Sequence, residues 1–170
     1  MNKKGFTLIE LLATILILSL LMLVAVPNVM STIDKNKQDT YVEDAKRMIT
    51  LAEYEVRSNT AIELPTSGNC IVILLGSLDL SDFNEGPEGG SYDLQKSYVV
   101  IARNGSSYDY YATIVENFDG DIRGVPLTSR DDLNKENARR RVAKGSDLEI
   151  ITPTVGSNLN GYIVSNIIDS

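Results

Sequence analysis

The sequence contains no histidine. That absence excludes every mechanism that needs an imidazole: the Ser-His-Asp triad, Cys-His pairs and His-ligated metal. Cysteine occurs once, at Cys70, so neither an intrachain disulfide nor a multi-cysteine zinc site can form. Positive charge is scarce as well. With 16 basic and 23 acidic residues the formal charge is −7, which argues against a generic polyanion-binding surface. No internal repeat or low-complexity tract stands out. A length of 170 residues accommodates one domain and an appended element.

Charge is also missing locally, and this is the most informative feature of the chain. Residues Phe6 to Val26 carry a single charge, Glu10, and Leu11 to Val26 carry none. As a helix this stretch spans about 31 Å at ~1.5 Å per residue, against a bilayer core of about 30 Å. A buried core helix would have to be enclosed on every face, and the remaining chain is too small for that. A secretory signal peptide is the other alternative, with Met1-Asn2-Lys3-Lys4 as its basic region. However, Ala25-Val26-Pro27 is a poor cleavage site, and the run exceeds the usual apolar core of ~7–15 residues. Lys3 and Lys4 predict a cytoplasmic N-terminus with residues 28–170 outside. An exported domain with one thiol must then be held by packing alone.

The residues before and into the run read Lys3-Lys4-Gly5-Phe6-Thr7-Leu8-Ile9-Glu10-Leu11-Leu12. This string resembles the class III signal of type IV pilins and pseudopilins: a short basic leader, a Gly, a methylatable Phe, Thr-Leu-Ile-Glu, then a membrane-length apolar run. Pro27 matches the proline that many relatives carry soon after the run. Ser19 departs from the Gly that many of them place near its middle. The resemblance covers about the first 60 residues. It implies that a prepilin peptidase cuts between Gly5 and Phe6 and that the new amine of Phe6 is methylated. The cut precedes the apolar run, so the run is retained as an anchor and later as a packing element.

Glu10 requires its own explanation, because a carboxylate within an apolar run is costly and tends to mark function. A capping box, with Thr7 as N-cap and Glu10 three residues on, is one reading. Snorkelling at the membrane edge is another. The family resemblance implies a third: Glu10 meets the free amine of Phe6 on a neighbouring subunit and sets the axial register between subunits. Such a pair contributes specificity more surely than stability. Pro27 lacks an N–H and leaves the Leu23 carbonyl without its helical donor, which predicts a kink at residues 23–27.

After Pro27, Val29, Ile33, Tyr41, Ala45, Met48, Ile49, Ala52 and Val56 recur near helical spacing between charged residues. They predict an amphipathic helix with one buried stripe, ending near Asn59. Residues 70–75, 97–102, 108–115 and 161–168 read as strands, with a weaker one over 147–151. Asn104-Gly105 reads as a hairpin turn pairing Arg103 with Ser106, Ile101 with Tyr108 and Val99 with Tyr110. Asp109 then lies opposite Val100 on a face expected to point outward. Ser129 reads as the cap of a short helix continuing through Leu133 to Val142. The expected fold is α+β: a long N-terminal helix packed on an antiparallel sheet of about four strands. The expected organisation is a leader at 1–5, an apolar helix at 6–27, its amphipathic continuation at 28–59 and a globular head at 60–170.

Weaker constellations have plainer readings. Asp79, Asp82, Glu85, Glu88 and Asp93 match no EF-hand spacing and read as a solvated acidic loop. Asp119-Gly120-Asp121 reads as a turn. Arg139-Arg140-Arg141 reads as a solvated helix face paired with Asp131, Asp132 and Glu136. Asn104-Gly105-Ser106 is a glycosylation sequon by letter and a turn by context, and Cys70 reads as a buried hydrophobe. No catalytic residue, metal or cofactor is expected, and no enzyme. The expected role is a structural subunit of a type IV pilus. It would be a single-pass membrane protein first and part of an extracellular helical filament later. Its expected partners are prepilin peptidase, further copies of itself, the assembly platform, other minor pilins and the membrane; nucleic acid is not among them. The alternatives are a pseudopilin of a type II secretion or DNA-uptake machine and a membrane-tethered extracellular binding module.

Overall fold

The computed structural model describes residues 5–79, 81, 83 and 85–169. Lys3, Lys4 and Asp82 lie outside the described residues. The chain forms two compact units, Met1–Asn36 and Lys37–Ser170. Helix α1 runs over Leu8–Ser58. In the first unit its side chains are exposed on every face, including Val29 and Ile33 of the expected stripe. In the second unit the stripe is realised: Tyr41, Val42, Ala45, Met48, Ile49 and Ala52 are buried. Ala45 and Ala52 add little bulk on that face, which suits close packing on strands.

The sheet comprises β1 (Asn69–Leu74), β2 (Ser91–Tyr92), β3 (Tyr98–Asn104), β4 (Ser107–Phe118), β5 (Asp121–Ser129), β6 (Ala143–Lys144), β7 (Asn158–Leu159) and β8 (Tyr162–Ile168). The strand order is β6-β5-β4-β3-β1-β8-β7, with β2 pairing β4. The fold is therefore α+β, a long helix on a sheet, as expected. The strand count is larger, and one pairing is parallel rather than antiparallel: β8 lies beside β1, with Asn69 opposite Ile163 and Val72 opposite Ile167. Cys70 to Leu74 has no polar alternation because β1 is central and buried on both faces.

One face of the sheet meets the α1 stripe through Ile71, Ile73, Val99, Ile101, Ala112, Ile114 and Val125. The opposite face is not outward as expected. It carries a second core of Cys70, Val72, Leu74, Tyr98, Val100, Ala102, Leu159 and Val164. Part of its cover is the segment after Leu148, where the Tyr98 hydroxyl donates to the Ile151 carbonyl at 2.8 Å.

The hairpin register also differs. Asn104 pairs with Ser107, Ile101 with Tyr110, and Ala102 with Asp109. Gly105, at φ +58°, is the first of the two turn residues rather than the second, as a type II′ turn requires. The slip is two residues, so every side chain keeps its expected face. The expected strand over 147–151 is absent; Gly145–Asp147 is a single 3-10 turn. Helix α2 covers only Arg130–Leu133, capped by Ser129, whose hydroxyl accepts from the Asp132 amide at 3.2 Å. Asn134 closes it, and Ala138–Arg141 forms a separate 3-10 turn.

Strand β5 contains Gly124 and Pro126 and still belongs to the sheet. The ladder shifts between Ala112 and Ile114, placing Pro126 at a bulge where no ladder N–H is needed. Gly124 lies against the Ile114 carbonyl so closely that a Cβ would overlap it. Gly124→Ala is therefore expected to cost about 1–3 kcal/mol by overpacking, read as a lowered melting temperature of the full chain in detergent.

Cys70 is fully buried, and burial pushes its thiol up to about 11. The stabilisation from keeping it neutral is complete below the ordinary thiol value of about 8.5 and is lost as pH rises through the folded value. At pH 8 the folded protein should react with a thiol reagent at least about tenfold more slowly than the denatured chain. Equal labelling rates would contradict this burial.

Candidate functional site

The N-terminal residues that the sequence singles out lie at the start of α1. Among the described residues no atom beyond its chain neighbours lies within 4 Å of where a Cβ on Gly5 would stand, and Phe6 is 80% exposed. The peptide between them is therefore uncovered on the Gly5 side. Thr7 and Glu10 form a reciprocal capping box. The Thr7 amide and hydroxyl donate to Glu10 Oε2 at 2.9 and 2.8 Å, and the Glu10 amide donates to Thr7 Oγ1 at 3.3 Å. These bonds satisfy two of the backbone donors that a helix start leaves open. Within this single chain the carboxylate is thus engaged by Thr7 alone among the described residues.

From Leu8 onward α1 is long and apolar enough to cross a membrane. Four polar side chains within and just after the apolar stretch turn back onto the helix. Thr14 Oγ1 donates to the Leu11 carbonyl at 2.7 Å, and Ser19 Oγ to that of Ile15 at 2.7 Å. Asn28 Nδ2 donates to the Val24 carbonyl at 3.0 Å and Thr32 Oγ1 to that of Asn28 at 2.9 Å. Donors satisfied in this way are compatible with a hydrocarbon surround. The helix continues through Pro27.

The acidic loop is less solvated than its composition suggests. Glu88 is held between Lys37 Nζ, at 2.6 Å from its Oε2, and Arg123, with only 12% of its side chain exposed. Although burial opposes the charge, these two cations hold its carboxyl below the usual range. Asp93 accepts from the Gln95 and Lys96 amides at 3.1 and 3.0 Å, and Asp79 from that of Ser81 at 3.0 Å. Among the described residues no three acidic side chains converge as metal ligands would.

Sequence reasoning missed Glu116, which is fully buried beneath α1. Its carboxylate accepts from the Tyr41 hydroxyl, from the Gly90 amide at 2.7 Å and from the Glu88 amide at 3.1 Å. Across the sheet Tyr92, Glu116 and Arg123 are direct partners on adjacent strands. The Tyr92 hydroxyl donates to Asp44 Oδ2 at 2.5 Å. Burial, then the bonded carboxylates, pushes both tyrosine hydroxyls far up. The only sequence signal for this cluster was a glutamate at an inward position of a strand otherwise apolar on that face.

Arg139 pairs with Asp39 of α1 at 3.4 Å and Arg141 with Asp132 at 2.8 Å. The second agrees with the expected pairing, and the first joins elements far apart in sequence. Asp119 and Gly120, at φ +47° and +80°, form the turn between β4 and β5.

Residues 1–26 match the family described as Prokaryotic N-terminal methylation motif. The chain is also 34% identical over 68 residues to the ComG operon protein 3 homolog of Bacillus licheniformis, an alignment covering 40% of this chain and 63% of that relative. No solved structure matches the chain. The basic leader, Gly5-Phe6, the Thr7–Glu10 pair and the start of the apolar helix thus fall within one matched segment, and the chain carries a prokaryotic N-terminal methylation motif over residues 1–26.

Proposed function

We propose that the chain is a structural subunit of a type IV pilus. A prepilin peptidase cleaves it after Gly5, and the amine of Phe6 is methylated. The subunit waits in the membrane with its N-terminus inside and residues 28–170 outside. It is then assembled, through a platform and with other pilins, into a helical filament on the cell surface. Pro27 is the bend point of the helix. The observation that carries this reading is the match of residues 1–26 to the methylation motif, a segment that runs into an exposed apolar helix. Bundling with other copies removes that apolar surface from lipid and water alike.

A second reading is a pseudopilin of a competence or secretion machine, and the similarity to the ComG operon protein 3 homolog favours it. The two share the N-terminal chemistry and differ in filament length and gene context. Imaging of cells after deletion of the gene separates them, by loss of long surface fibres or loss of DNA uptake or secretion.

Mass spectrometry of the mature protein should find a chain beginning at Phe6 with a methylated amine. A chain beginning after Pro27 would contradict both readings.

Glu10 is the residue on which assembly turns. In the single subunit Thr7 satisfies it. In the filament the Phe6 amine enters an apolar bundle and needs an anionic partner from a neighbour, or it is left as an unpaired buried charge. Glu10→Gln and Glu10→Ala should leave cleavage intact on a blot and lower filament numbers in electron micrographs at least about tenfold. Gln keeps the shape and removes the charge, so it separates electrostatics from packing. Normal filament numbers in both variants would reduce Glu10 to a helix cap.

A further inference from the structure

The face of α1 that meets the sheet changes character along its length. Ala45, Met48, Ile49 and Ala52 make an apolar contact. One to two turns earlier, Lys37, Tyr41 and Asp44 stand at positions i, i+4 and i+7, and each makes a polar bond off the helix. Lys37 Nζ reaches Glu88 at 2.6 Å, the Tyr41 hydroxyl reaches Glu116, and Asp44 receives the Tyr92 hydroxyl at 2.5 Å. The receiving side is equally ordered. Tyr92, Glu116 and Arg123 form one row across β2, β4 and β5, and Arg123 grips Glu88 from behind. Glu116 also holds the loop that presents Glu88, through the Glu88 and Gly90 amides. The Tyr41 ring packs edge-on against Tyr92 at 6.5 Å between centroids.

Apolar burial is non-directional, so a greasy helix face tolerates sliding along its own axis. Short hydrogen bonds do not. A slip of one residue moves the helix about 1.5 Å and turns it by about 100°, which takes such bonds beyond the ~3.2 Å at which they normally form. Three such bonds on one face, two meeting the row of the sheet at Tyr92 and Glu116 and one meeting Glu88 in the loop that Glu116 and Arg123 hold, resist an axial pull together rather than in succession. They lie at the first residues of the second unit, where any tension carried by the chain before Lys37 enters the sheet.

We propose that Lys37, Tyr41 and Asp44, with Glu88, Glu116 and Tyr92, form a mechanical anchor that fixes the axial register of α1 on the sheet and passes tension from the helix into the head. The need for such an anchor rests on the pilus reading, in which subunits are extracted from the membrane and pulled within a filament. The anchor itself is a property of the single chain.

It is tested on the full chain in detergent micelles, held by its two ends in an optical trap at constant force. Tyr41→Phe combined with Tyr92→Phe removes two hydroxyls and keeps both rings. The comparison is Ile49→Val, which trims the apolar contact. Detachment of the helix should be at least about tenfold faster in the tyrosine variant and less than about twofold faster in the isoleucine variant, a larger difference than their melting temperatures account for, because forced unfolding reads the unfolding rate. Lys37→Met, which keeps the stem and loses the partly buried ion pair, should accelerate detachment by a smaller factor in the same direction. If the variants detach in proportion to their melting temperatures alone, the anchor is only ordinary packing and the proposal is overturned. That result would leave the pilus reading standing, since the latter is decided on the mature N-terminus and on filaments.

Discussion

The stripe of Tyr41, Ala45, Met48, Ile49 and Ala52 on α1 cannot remain in water, and covering it organises the second unit. A helix that is apolar on one side needs a flat apolar partner. The strands supply it with alternate residues: Ile71 and Ile73 of β1, Val99 and Ile101 of β3, Ala112 and Ile114 of β4. Since alternation sends every second residue to the far side, covering the helix creates a second apolar face. Leu159, Val164 and the segment after Leu148 close that face in turn. The parallel strand β8 belongs to the same solution. It completes the free edge of β1 and sends Ile168 to one core and Val164 to the other.

Within this interface the polar atoms are the expensive element, and they are all satisfied. No buried side-chain nitrogen or oxygen among the described residues lacks a partner. Glu116 is the demanding case, since a buried carboxylate without donors would be strongly destabilising. It has three: a hydroxyl from the helix and two amides from the loop before β2. Replacing such a cluster with hydrocarbon is often neutral or stabilising elsewhere, so stability alone does not account for its presence. Directionality does, because hydrogen bonds specify where along the helix the sheet must sit.

The elements legible in the sequence were those whose signal is local. The apolar run, the capping box, the helix stripe and strands β1, β3, β4 and β8 each announce themselves through composition or spacing within a few residues. The losses were non-local. Strand β5 was hidden by Gly124 and Pro126, which look like breakers until the close approach to Ile114 and the bulge are seen. Strands β2, β6 and β7 are two residues long and have no period to detect. The hairpin register was missed by two residues because Asn104-Gly105 fits a type I′ turn as well as Gly105-Ser106 fits type II′. Glu88 looked solvated because its cations, Lys37 and Arg123, lie 51 and 35 residues away. Of the N-terminal site, the helix start and its cap were legible in full, since Thr7 and Glu10 are three residues apart and need nothing else.

That completeness bears on how Glu10 can have two roles. Both Thr7 bonds to its carboxylate end on Oε2, from the amide at 2.9 Å and the hydroxyl at 2.8 Å. Among the described residues Oε1 receives none. A carboxylate offers about four lone-pair sites on two oxygens, so the cap uses half of the group and leaves the other oxygen to accept a further donor. Capping and pairing with a neighbour's amine therefore do not compete for the same atom. The cap also holds the side chain against the first turn, which removes rotamer freedom before any partner arrives. Without the Thr7 hydroxyl the carboxylate would keep only the backbone amide at position 7, more of that freedom would be lost on assembly, and the Glu10 amide would lose its acceptor. On the proposed pilus reading, the Thr7 cap and a neighbour's amine would share Glu10 without competition, with the cap holding Oε1 in a defined place.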